Sequence, residues 1–466
     1  MPESPYEVES PYGDGTDEGG PHLHLRYMRK SPVVIGTSHP YTEDIYEKDV
    51  ISCVKFSTEG DVVAVGDHGG RITVYRPYDD EPEYQNYTTF ESHEPEFDYL
   101  RSTRIEEKIA CIEWLPRASQ SYSLLTANEK TIKLWRLTER DRAIAGTGWN
   151  LRNDDGSTRS SFVGQLRVPE IVDMPLVIEA SPRRVYANGH TYNVNSVSAS
   201  LDQETFISSD DLRINLWHHE ITNECFNIVD MKPVKMEDVV EVITSAHFNP
   251  THGSIFAYGS TKGTVRLCDM RQRALCDTNC KTFDYEVEFN ETVGAMYLDT
   301  VTCSGHVQFS HNGKYIASRD VLNLKIWDVR SEREPLECIP IHDGLREKLE
   351  ELYKCEAIFD RFHCSWSPDD KFVATGSYNG LFKTFGIEGG GRALYEAHEE
   401  QPLLRRRNVT RRKRGLNGRR RYCSENMYDI VEYDKKVLYM DWHPQRNVIA
   451  AACLQKLFFF DDVGNI

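Results

Sequence analysis

The sequence of 466 residues lacks the features that mark membrane proteins and general nucleic-acid binders. No apolar run approaches the roughly 18 residues that suggest a membrane span. Basic residues are outnumbered by acidic ones, 55 against 73, and the net charge is −18. Because binding to a phosphate backbone needs a cationic surface, this balance argues against nucleic acid as a partner. It favours a protein that recognises basic segments of other proteins.

Paired cysteines are also missing. The 12 cysteines are scattered singly, and the closest pair in the sequence, Cys276 and Cys280, has no second pair beside it. This spacing predicts neither a zinc site nor a disulfide framework, so no metal or cofactor is expected. Small buried thiols of a reducing compartment are the simpler interpretation. The segment Met1–Gly20 has no apolar signal region, and we therefore expect a cytoplasmic protein.

Motifs of common enzymes are absent as well. There is no phosphate-binding Gly-x-x-x-x-Gly-Lys-Ser/Thr loop and no Gly-x-Ser-x-Gly nucleophile turn. The pair Asp210–Asp211 could supply a general acid and base, but a turn between two strands is the simpler interpretation. His218 and His219 are neighbours at a strand end and point to opposite faces, which makes them poor joint metal ligands. We predict a non-catalytic protein.

The sequence does contain an internal repeat. Each copy has an apolar strand with an aromatic residue, a polar turn, an alternating strand, a second turn and a third strand ending near an aromatic residue. Such a unit cannot bury both of its faces alone, so the copies must stack as blades around an axis. This predicts an all-β, seven-bladed propeller of the WD-repeat type over residues 22–466, after an acidic tail at 1–21. The seven copies begin at Ile51, Ile109, Val194, Ile243, Ser304, Phe362 and Val437.

Two further features of the propeller can be predicted. The seventh copy supplies only three strands, and the alternating segment Leu23–Met28 is the candidate for its fourth strand, which would close the ring. Aromatic residues also occupy equivalent positions near the ends of third strands, and we interpret them as packing between blades rather than as a binding cage. These residues are Trp135, Trp217, Trp327 and Phe459.

Long insertions separate the repeats, and loops on a rigid scaffold commonly carry function. The first insertion, residues 77–108, is strongly acidic. The second, residues 138–190, contains Asn-Asp-Asp-Gly between two strand-like segments, which predicts a projecting hairpin arm. A later one contains HDGLREKLEELYKCEAIFDRF, in which Asp343 could cap a helix with Leu345, Leu349 and Leu352 on one face.

The last insertion, residues 389–436, carries ten basic residues between Arg405 and Arg421. A solvated loop is the simplest interpretation of this run. The alternative is a nuclear-localisation signal or a nucleic-acid patch, which would add a nuclear location.

Five segments resemble signature segments of the regulatory B subunits of type-2A protein phosphatase, the PR-fifty-five class. They are EFDYLRSTRIEEKI (Glu96–Ile109), TIKLWRLTERD (Thr131–Asp141), ASPRRVYANGHTYNVNSVS (Ala180–Ser198), DDLRINLWHHEIT (Asp210–Thr222) and KGTVRLCDMR (Lys262–Arg271). The resemblance implies a seven-bladed propeller that joins a helical-repeat scaffold A subunit and a catalytic C subunit. It also implies recruitment of phosphoprotein substrates, and of small phosphoprotein inhibitors, through phosphorylated Ser/Thr-Pro sites flanked by basic residues.

The resemblance assigns roles to particular residues. It implies that the arm grips the scaffold through Arg140, Asp141, Trp149, Asn150, Leu151 and Leu166. It implies that Glu96, Asp98 and Arg101 face the catalytic subunit. It implies a substrate groove formed by Glu47, His68, Phe97, Leu100, Tyr192, Asp211, Glu237, Val239, Val242, Tyr353 and Phe359.

The chain also departs from the family pattern at several positions. His68 replaces a Lys, which removes one groove contact or makes it depend on pH. Thr103 and Arg104 replace an apolar and an acidic residue, and Asn193 replaces a His. Two other classes of function therefore stay open beside the phosphatase subunit. One is a general WD-repeat interaction platform, for example on chromatin, that uses the basic run, and the other is a propeller enzyme.

Overall fold

The computed structural model describes residues 23, 25–28, 33–34, 46–78, 83–99, 102–117, 119–144, 157, 171–276, 280–285, 297–387, 390–397 and 431–462. Within this part of the chain, antiparallel sheets form the seven blades of a propeller, as the sequence repeats predict. A separate two-stranded hairpin and two short α-helices lie in the connections between blades. None of the described helices is long and apolar enough to cross a membrane.

The strands follow one another along the chain, blade by blade. Two short strands come first, followed by blade one: β1 (Leu25–Tyr27), β2 (Val33–Val34), β3 (Ile51–Phe56), β4 (Val63–Asp67), β5 (Arg71–Pro77) and β6 (Tyr84–Glu91). The hairpin and blade two follow: β7 (Glu96–Asp98), β8 (Thr103–Ile105), β9 (Cys111–Trp114), β10 (Tyr122–Ala127), β11 (Ile132–Ile144) and β12 (Ile171–Tyr186). Blades three and four are β13 (Ser196–Ala199), β14 (Thr205–Ser209), β15 (Arg213–His218), β16 (Ile221–Asp230), β17 (Ile243–Asn249), β18 (His252–Ser260), β19 (Val265–Asp269) and β20 (Cys280–Phe283).

Blades five to seven complete the ring. They are preceded by helix α1 (Leu298–Val301), and helix α2 (Leu349–Lys354) lies before blade six. The strands are β21 (His306–Phe309), β22 (Tyr315–Arg319), β23 (Asn323–Asp328), β24 (Glu337–Pro340), β25 (Cys364–Trp366), β26 (Phe372–Gly376), β27 (Leu381–Gly386), β28 (Arg392–Glu396), β29 (Met440–Trp442), β30 (Val448–Cys453) and β31 (Lys456–Asp462).

The first strand of every blade contacts the first strands of both neighbouring blades, so these strands surround a central channel. The contacts run from β3 through β9, β13, β17, β21, β25 and β29 and return to β3. The ring is closed by the N-terminal segment, because β1 pairs with β31 through Leu25↔Asp462 and Tyr27↔Phe460. This confirms the predicted origin of the fourth strand, and it covers the edge of β31 that would otherwise be unpaired.

Hydrophobic clusters fill the interfaces between adjacent blades. Trp135, Trp217, Trp327 and Phe459 are all buried in these clusters, as predicted. Trp217 and Trp327 donate equivalent hydrogen bonds from Nε1 to serine hydroxyls of the neighbouring strand, at 2.8 and 3.0 Å. A buried indole keeps its N–H satisfied in this way while its rings fill the space between blades.

The repeat pattern marks three strands in each copy, and in blades one to six the structure shows the fourth, outer strand within the insertions. Strand β20, for example, lies in the stretch Gln272–Cys303, where the sequence shows no motif. The outer strands are partly exposed on both faces, as in β28, where exposed and intermediate residues alternate. Their hydrophobic periodicity is therefore weak, which explains why the pattern does not reveal them.

The insertion before blade six is helical, as predicted, but its capping differs from the prediction. A 3-10 helix spans Asp343–Lys348 and continues into α2, and no side chain caps either N-terminus. Asp343 is the first helical residue rather than the cap, and its carboxylate lies 3.0 Å from Nε of Arg346. Leu345, Leu349 and Leu352 do form one buried face.

Candidate functional site

The blades have two chemically distinct ends. Consecutive strands are antiparallel, so the turns of each blade alternate between the two ends. One end carries the turns between second and third strands and the links from blade to blade, and we call it the linker end. Every described groove candidate lies at the linker end: Glu47, His68, Phe97, Tyr192, Asp211, Glu237, Val239, Val242, Tyr353 and Phe359.

Glu47 and His68 lie side by side at blade one. Glu47 is exposed in a 3-10 helix over Glu47–Asp49, and the backbone N–H of His68 donates to the Val50 carbonyl at 3.0 Å. Burial, with the nearby charge of Lys108, lowers the pKa of His68 to about 4. The imidazole is therefore neutral at physiological pH and does not replace the positive charge of the family's Lys. Its charge changes only in acid.

The link from blade one to blade two forms the hairpin β7–β8. Phe97 is half-exposed there, and its ring lies 5.1 Å from that of Tyr99 in an edge-on contact. Arg104 is directly opposite Phe97 in the register, which places a cation beside this aromatic pair. Glu96 is exposed on the same strand, whereas Asp98 forms an ion pair with Lys130 of blade two.

Asp211 lies in the turn between β14 and β15 of blade three. Its carboxylate accepts a hydrogen bond from Asn195 Nδ2 at 3.0 Å, and its carbonyl accepts from the Ile243 N–H at 2.8 Å. The second bond places the neighbouring Val242 beside this turn. The amide oxygen of Asn195 accepts in turn from Arg361 at 3.4 Å. A polar chain therefore connects Asp211 with the helical insertion before blade six.

Tyr192 and Glu237 lie near each other in the links that enter and leave blade three. The Tyr192 hydroxyl donates to Sδ of Met236 at 3.6 Å, which brings it next to the exposed Glu237. Val239 follows in the same link and is partly exposed. The structure thus brings together the candidates from blades three and four.

Asp210, by contrast, is a structural residue. It accepts hydrogen bonds from the backbone N–H of Leu212 at 2.8 Å and from His190 Nδ1 at 3.0 Å. The other nitrogen of His190 lies 2.6 Å from the Ser208 hydroxyl, which accepts from Trp217. This buried chain from turn to core confirms the interpretation of Asp210–Asp211 as a turn.

Tyr353 and Phe359 lie on the helical insertion, and Phe359 borders a cavity of about 760 Å³. Their side chains are 50% and 58% exposed, and their ring centroids are 6.2 Å apart. Phe359 lines the cavity together with residues from blades four and five, and Asp320 and Lys325, which form an ion pair of 3.7 Å, lie on its wall. The sequence gives no signal for this cavity, because its walls come from widely separated segments. They include Val240, Lys262, Asp284, Tyr285, Asp320, Lys325, Asp360 and Arg361.

The predicted arm begins at the opposite end of blade two. Strands β11 and β12 extend beyond the blade as a two-stranded ribbon, with Arg140 opposite Val177 and Ile144 opposite Ile171. Arg140 and Asp141 are exposed, and Arg140 forms an ion pair of 2.6 Å with Glu179. Apolar side chains on this ribbon are also half-exposed, namely Val172, Leu176 and Val177. These apolar groups are accessible for contact with another protein.

Some predicted residues lie outside the described part of the chain. They are Leu100, Arg101, Trp149, Asn150, Leu151, Leu166, the tail 1–21 and the basic run 405–421. Among the described residues, no group of three or more His, Cys, Asp or Glu side chains is arranged to hold a metal ion.

A seven-bladed propeller with polar and aromatic loops at one end and a projecting ribbon at the other has the architecture of the WD-repeat class. The WD domain, G-beta repeat family matches residues 181–218 and 360–385. The first of these ranges contains the Asp210–His190–Ser208–Trp217 chain.

Curated relatives match nearly the whole chain. The serine/threonine-protein phosphatase 2A regulatory subunit sur-6 of Caenorhabditis elegans is 46% identical over 433 residues, covering 90% of this chain and 87% of that protein. The protein phosphatase PP2A 55 kDa regulatory subunit of Drosophila melanogaster is 43% identical over 431 residues, covering 90% and 85%. The gamma isoform of the 55 kDa regulatory subunit of phosphatase 2A from Rattus norvegicus is 43% identical over 440 residues, covering 92% and 97%. This chain therefore belongs to the family of 55 kDa regulatory B subunits of protein phosphatase 2A, and it is a regulatory rather than a catalytic protein.

Proposed function

We propose that this chain recruits phosphoproteins to a phosphatase 2A complex, with the arm on the scaffold subunit and the linker end toward the catalytic subunit and the substrate. The preferred substrates carry phosphorylated Ser/Thr-Pro sites flanked by basic residues. One observation carries the proposal. The described groove candidates come from separated segments and all lie at the linker end, whereas the ribbon of the arm starts at the opposite end. Scaffold and substrate therefore need not compete for one surface.

The charge of the linker end supports a basic ligand. Acidic side chains outnumber basic ones among its described turns and links, so a cationic peptide is attracted during its approach. Each exposed ion pair contributes only about 0–1 kcal/mol. Affinity must then come from apolar contacts as well, and burial of a large side chain contributes about 1.5–3 kcal/mol. Phe97, Tyr353 and Phe359 are half-exposed and able to supply such contacts.

Asp211→Lys tests the substrate surface. The substitution replaces attraction by repulsion at a half-buried carboxylate, and we expect it to weaken binding of a basic-flanked phosphopeptide by about 1–3 kcal/mol. Raising the salt concentration should reduce the effect, because the screening length falls from about 10 Å at 0.1 M to about 3 Å at 1 M. Competition between basic-flanked and acidic-flanked phosphopeptides on the assembled trimer measures the change. Glu47→Lys should behave in the same way.

Two control variants separate charge from folding. Asp211→Asn keeps an oxygen acceptor for Asn195 and removes only the charge, so it should give a smaller loss in the same direction. Glu204→Lys makes the same charge reversal at an exposed position in the turn between β13 and β14, at the opposite end of blade three. It should leave peptide binding unchanged. Equal loss for both peptides with Asp211→Lys would mean that the residue supports folding and not selection.

A further inference from the structure

Blade four contains a pair of thiols that the sequence does not reveal as a pair. Cys268 of β19 is directly opposite Cys280 of β20 in the antiparallel register, and both pack in the same hydrophobic cluster. Residues directly opposite each other in such sheets have Cα atoms about 4.5–5.5 Å apart. A disulfide needs Cα atoms about 4.4–6.8 Å apart, so this position can accept one without movement of the backbone. Both cysteines are thiols in the structure.

The two thiols differ in access and in acidity. Cys268 is fully buried, whereas Cys280 is partly exposed on the outer strand of the blade. A hydrogen bond from Cys268 and then the charge of Arg266, against the effect of burial, lower the pKa of Cys280 to about 6. The same hydrogen bond, together with burial, raises the pKa of Cys268. Cys276, Thr282 and Tyr258 also act electrostatically on the pair, and the Cys268 thiol donates to the Cys276 carbonyl at 3.5 Å.

We propose that Cys280 is a site of oxidation by hydroperoxides and that Cys268 resolves the product into a reversible disulfide within blade four. The Cys280 thiolate attacks one peroxide oxygen, an S–O bond forms, the O–O bond breaks, and the departing oxygen takes up a proton and leaves as water or an alcohol. The Cys268 sulfur then attacks the Cys280 sulfur of the sulfenic acid. The S–O bond breaks, and the hydroxyl leaves as water with the proton of the Cys268 thiol. A small dithiol restores both thiols by exchange.

The position of the pair gives this disulfide a structural consequence. Strand β20 ends at Phe283, and the next residues, Asp284 and Tyr285, line the cavity at the linker end. A covalent bond at Cys280 would fix the outer strand that carries this wall. Disulfides in reducing compartments are usually transient and redox-sensing, which fits a pair with one buried and one accessible sulfur.

Mass spectrometry of the intact chain tests the proposal. The chain is treated with hydrogen peroxide, the remaining thiols are alkylated, and the protein is digested with trypsin. We expect peptide Leu267–Arg271 linked to peptide Ala274–Lys281, with fragmentation placing the bond on Cys280 rather than Cys276. Dithiothreitol should release the link. A bond to Cys276, or an unreacted Cys280 in a chain whose exposed Cys355 is oxidised, would overturn the proposal.

Variants and labelling rates give independent evidence. Cys280→Ser should abolish the link and Cys276→Ser should retain it, with folding checked by thermal unfolding. At about pH 6, half of Cys280 is thiolate, against roughly 0.3% of a thiol with a pKa near 8.5. The thiolate fraction of Cys280 is therefore roughly 150 times that of the ordinary thiol. A thiolate of low pKa is, however, a weaker nucleophile, and this lowers its reaction rate about tenfold. Iodoacetamide should therefore label Cys280 about tenfold faster than a short cysteine peptide at that pH, and equal rates would contradict the proposed thiolate.

Discussion

Removal of the arm should abolish stable association with the scaffold subunit while the propeller stays folded. The variant replaces residues 141–176 by a short Gly-Ser turn, because the pair Arg140↔Val177 then closes the remaining hairpin. Ile178 and Ala180 still pack on the core between blades one and two, so little stability is lost. Loss of the ribbon removes the exposed Val172 and Leu176. We expect affinity to fall at least about a hundredfold, or roughly 3 kcal/mol, in a titration with purified scaffold.

Point variants on one strand provide the matched control for this deletion. Leu176 and Val185 both lie in β12 and are 54% and 45% exposed. Leu176 belongs to the ribbon, whereas Val185 pairs with Lys133 inside blade two. Leu176→Asp should therefore weaken scaffold binding, and Val185→Asp should not. If the 141–176 deletion binds the scaffold as well as the unaltered chain does, the arm has no part in assembly.

The sequence predicted the propeller because the first three strands of each blade are the ones with strong patterns. Residues such as Val63 and Ile207 are completely buried, and their strands read as apolar runs between turns. The outer strands and the short helices lie in insertions of variable length and are partly exposed. Ring closure was predictable because an unpaired edge at the seventh blade requires a strand from elsewhere.

The site was less predictable, because its residues come from different blades and share one end of the molecule only once the propeller has closed. Topology places Glu47, Asp211 and Phe359 at one end, but no local pattern indicates that end. The cysteines show the same limit more sharply. Cys276 and Cys280 are closest in sequence, yet the register of β20 pairs Cys280 with Cys268. That register depends on the path of the connection between β19 and β20, and the local hydrophobic pattern does not define this path.

Mild acid should destabilise the propeller strongly, because many histidines are buried without charge. Burial lowers the pKa of six of them from the ordinary value of 6.5 to about 3 or 4, and it lowers the pKa values of His306 and His342 well below 6.5. The described histidines with this shift are His68, His93, His219, His247, His306, His342, His363 and His443. The sequence indicates no such burial for most of them.

The central channel explains why three of these groups resist protonation. The His306 ring stacks on His363 at 4.2 Å and meets His247 at 5.4 Å. Lys55 lies in the same cavity of about 290 Å³. Burial alone would lower the pKa of Lys55, but the negative charges of Asp441 and Glu113 have the larger combined effect and raise it. The Lys55 amine therefore stays protonated. Burial is the first reason that the three imidazoles remain neutral, and a further positive charge beside Lys55 and Arg361 would also be unfavourable.

The direction of the pH effect follows from these pKa values. In the unfolded chain a histidine binds its proton near pH 6.5, and in the folded chain only near pH 4 or below, so the unfolded state binds more protons between these limits. The free energy of unfolding therefore falls as the pH is lowered from about 6.5 toward 4, by about 1.4 kcal/mol per pH unit for each extra proton. Burial raises the pKa of Glu113 and Asp320, and protonation of these carboxyl groups opposes part of the loss. A net uptake of three protons lowers stability by about 4 kcal/mol per pH unit, a large part of the usual 5–15 kcal/mol of a folded domain.

Urea unfolding at about pH 7.5, 6.5 and 5.5 measures this loss as a shift of the midpoint. His363→Gln removes one channel imidazole, so between pH 7.5 and 5.5 its free energy of unfolding should fall by about 1.4 kcal/mol less than that of the unaltered chain. His252→Gln is the matched control, because that imidazole is exposed at the surface, and its pH dependence should equal that of the unaltered chain. A midpoint that stays constant from pH 7.5 to 5.5 would mean that the channel admits enough water to charge its histidines. The same constancy would also remove the physical basis for a neutral His68 at the linker end, since burial is the first cause in both places.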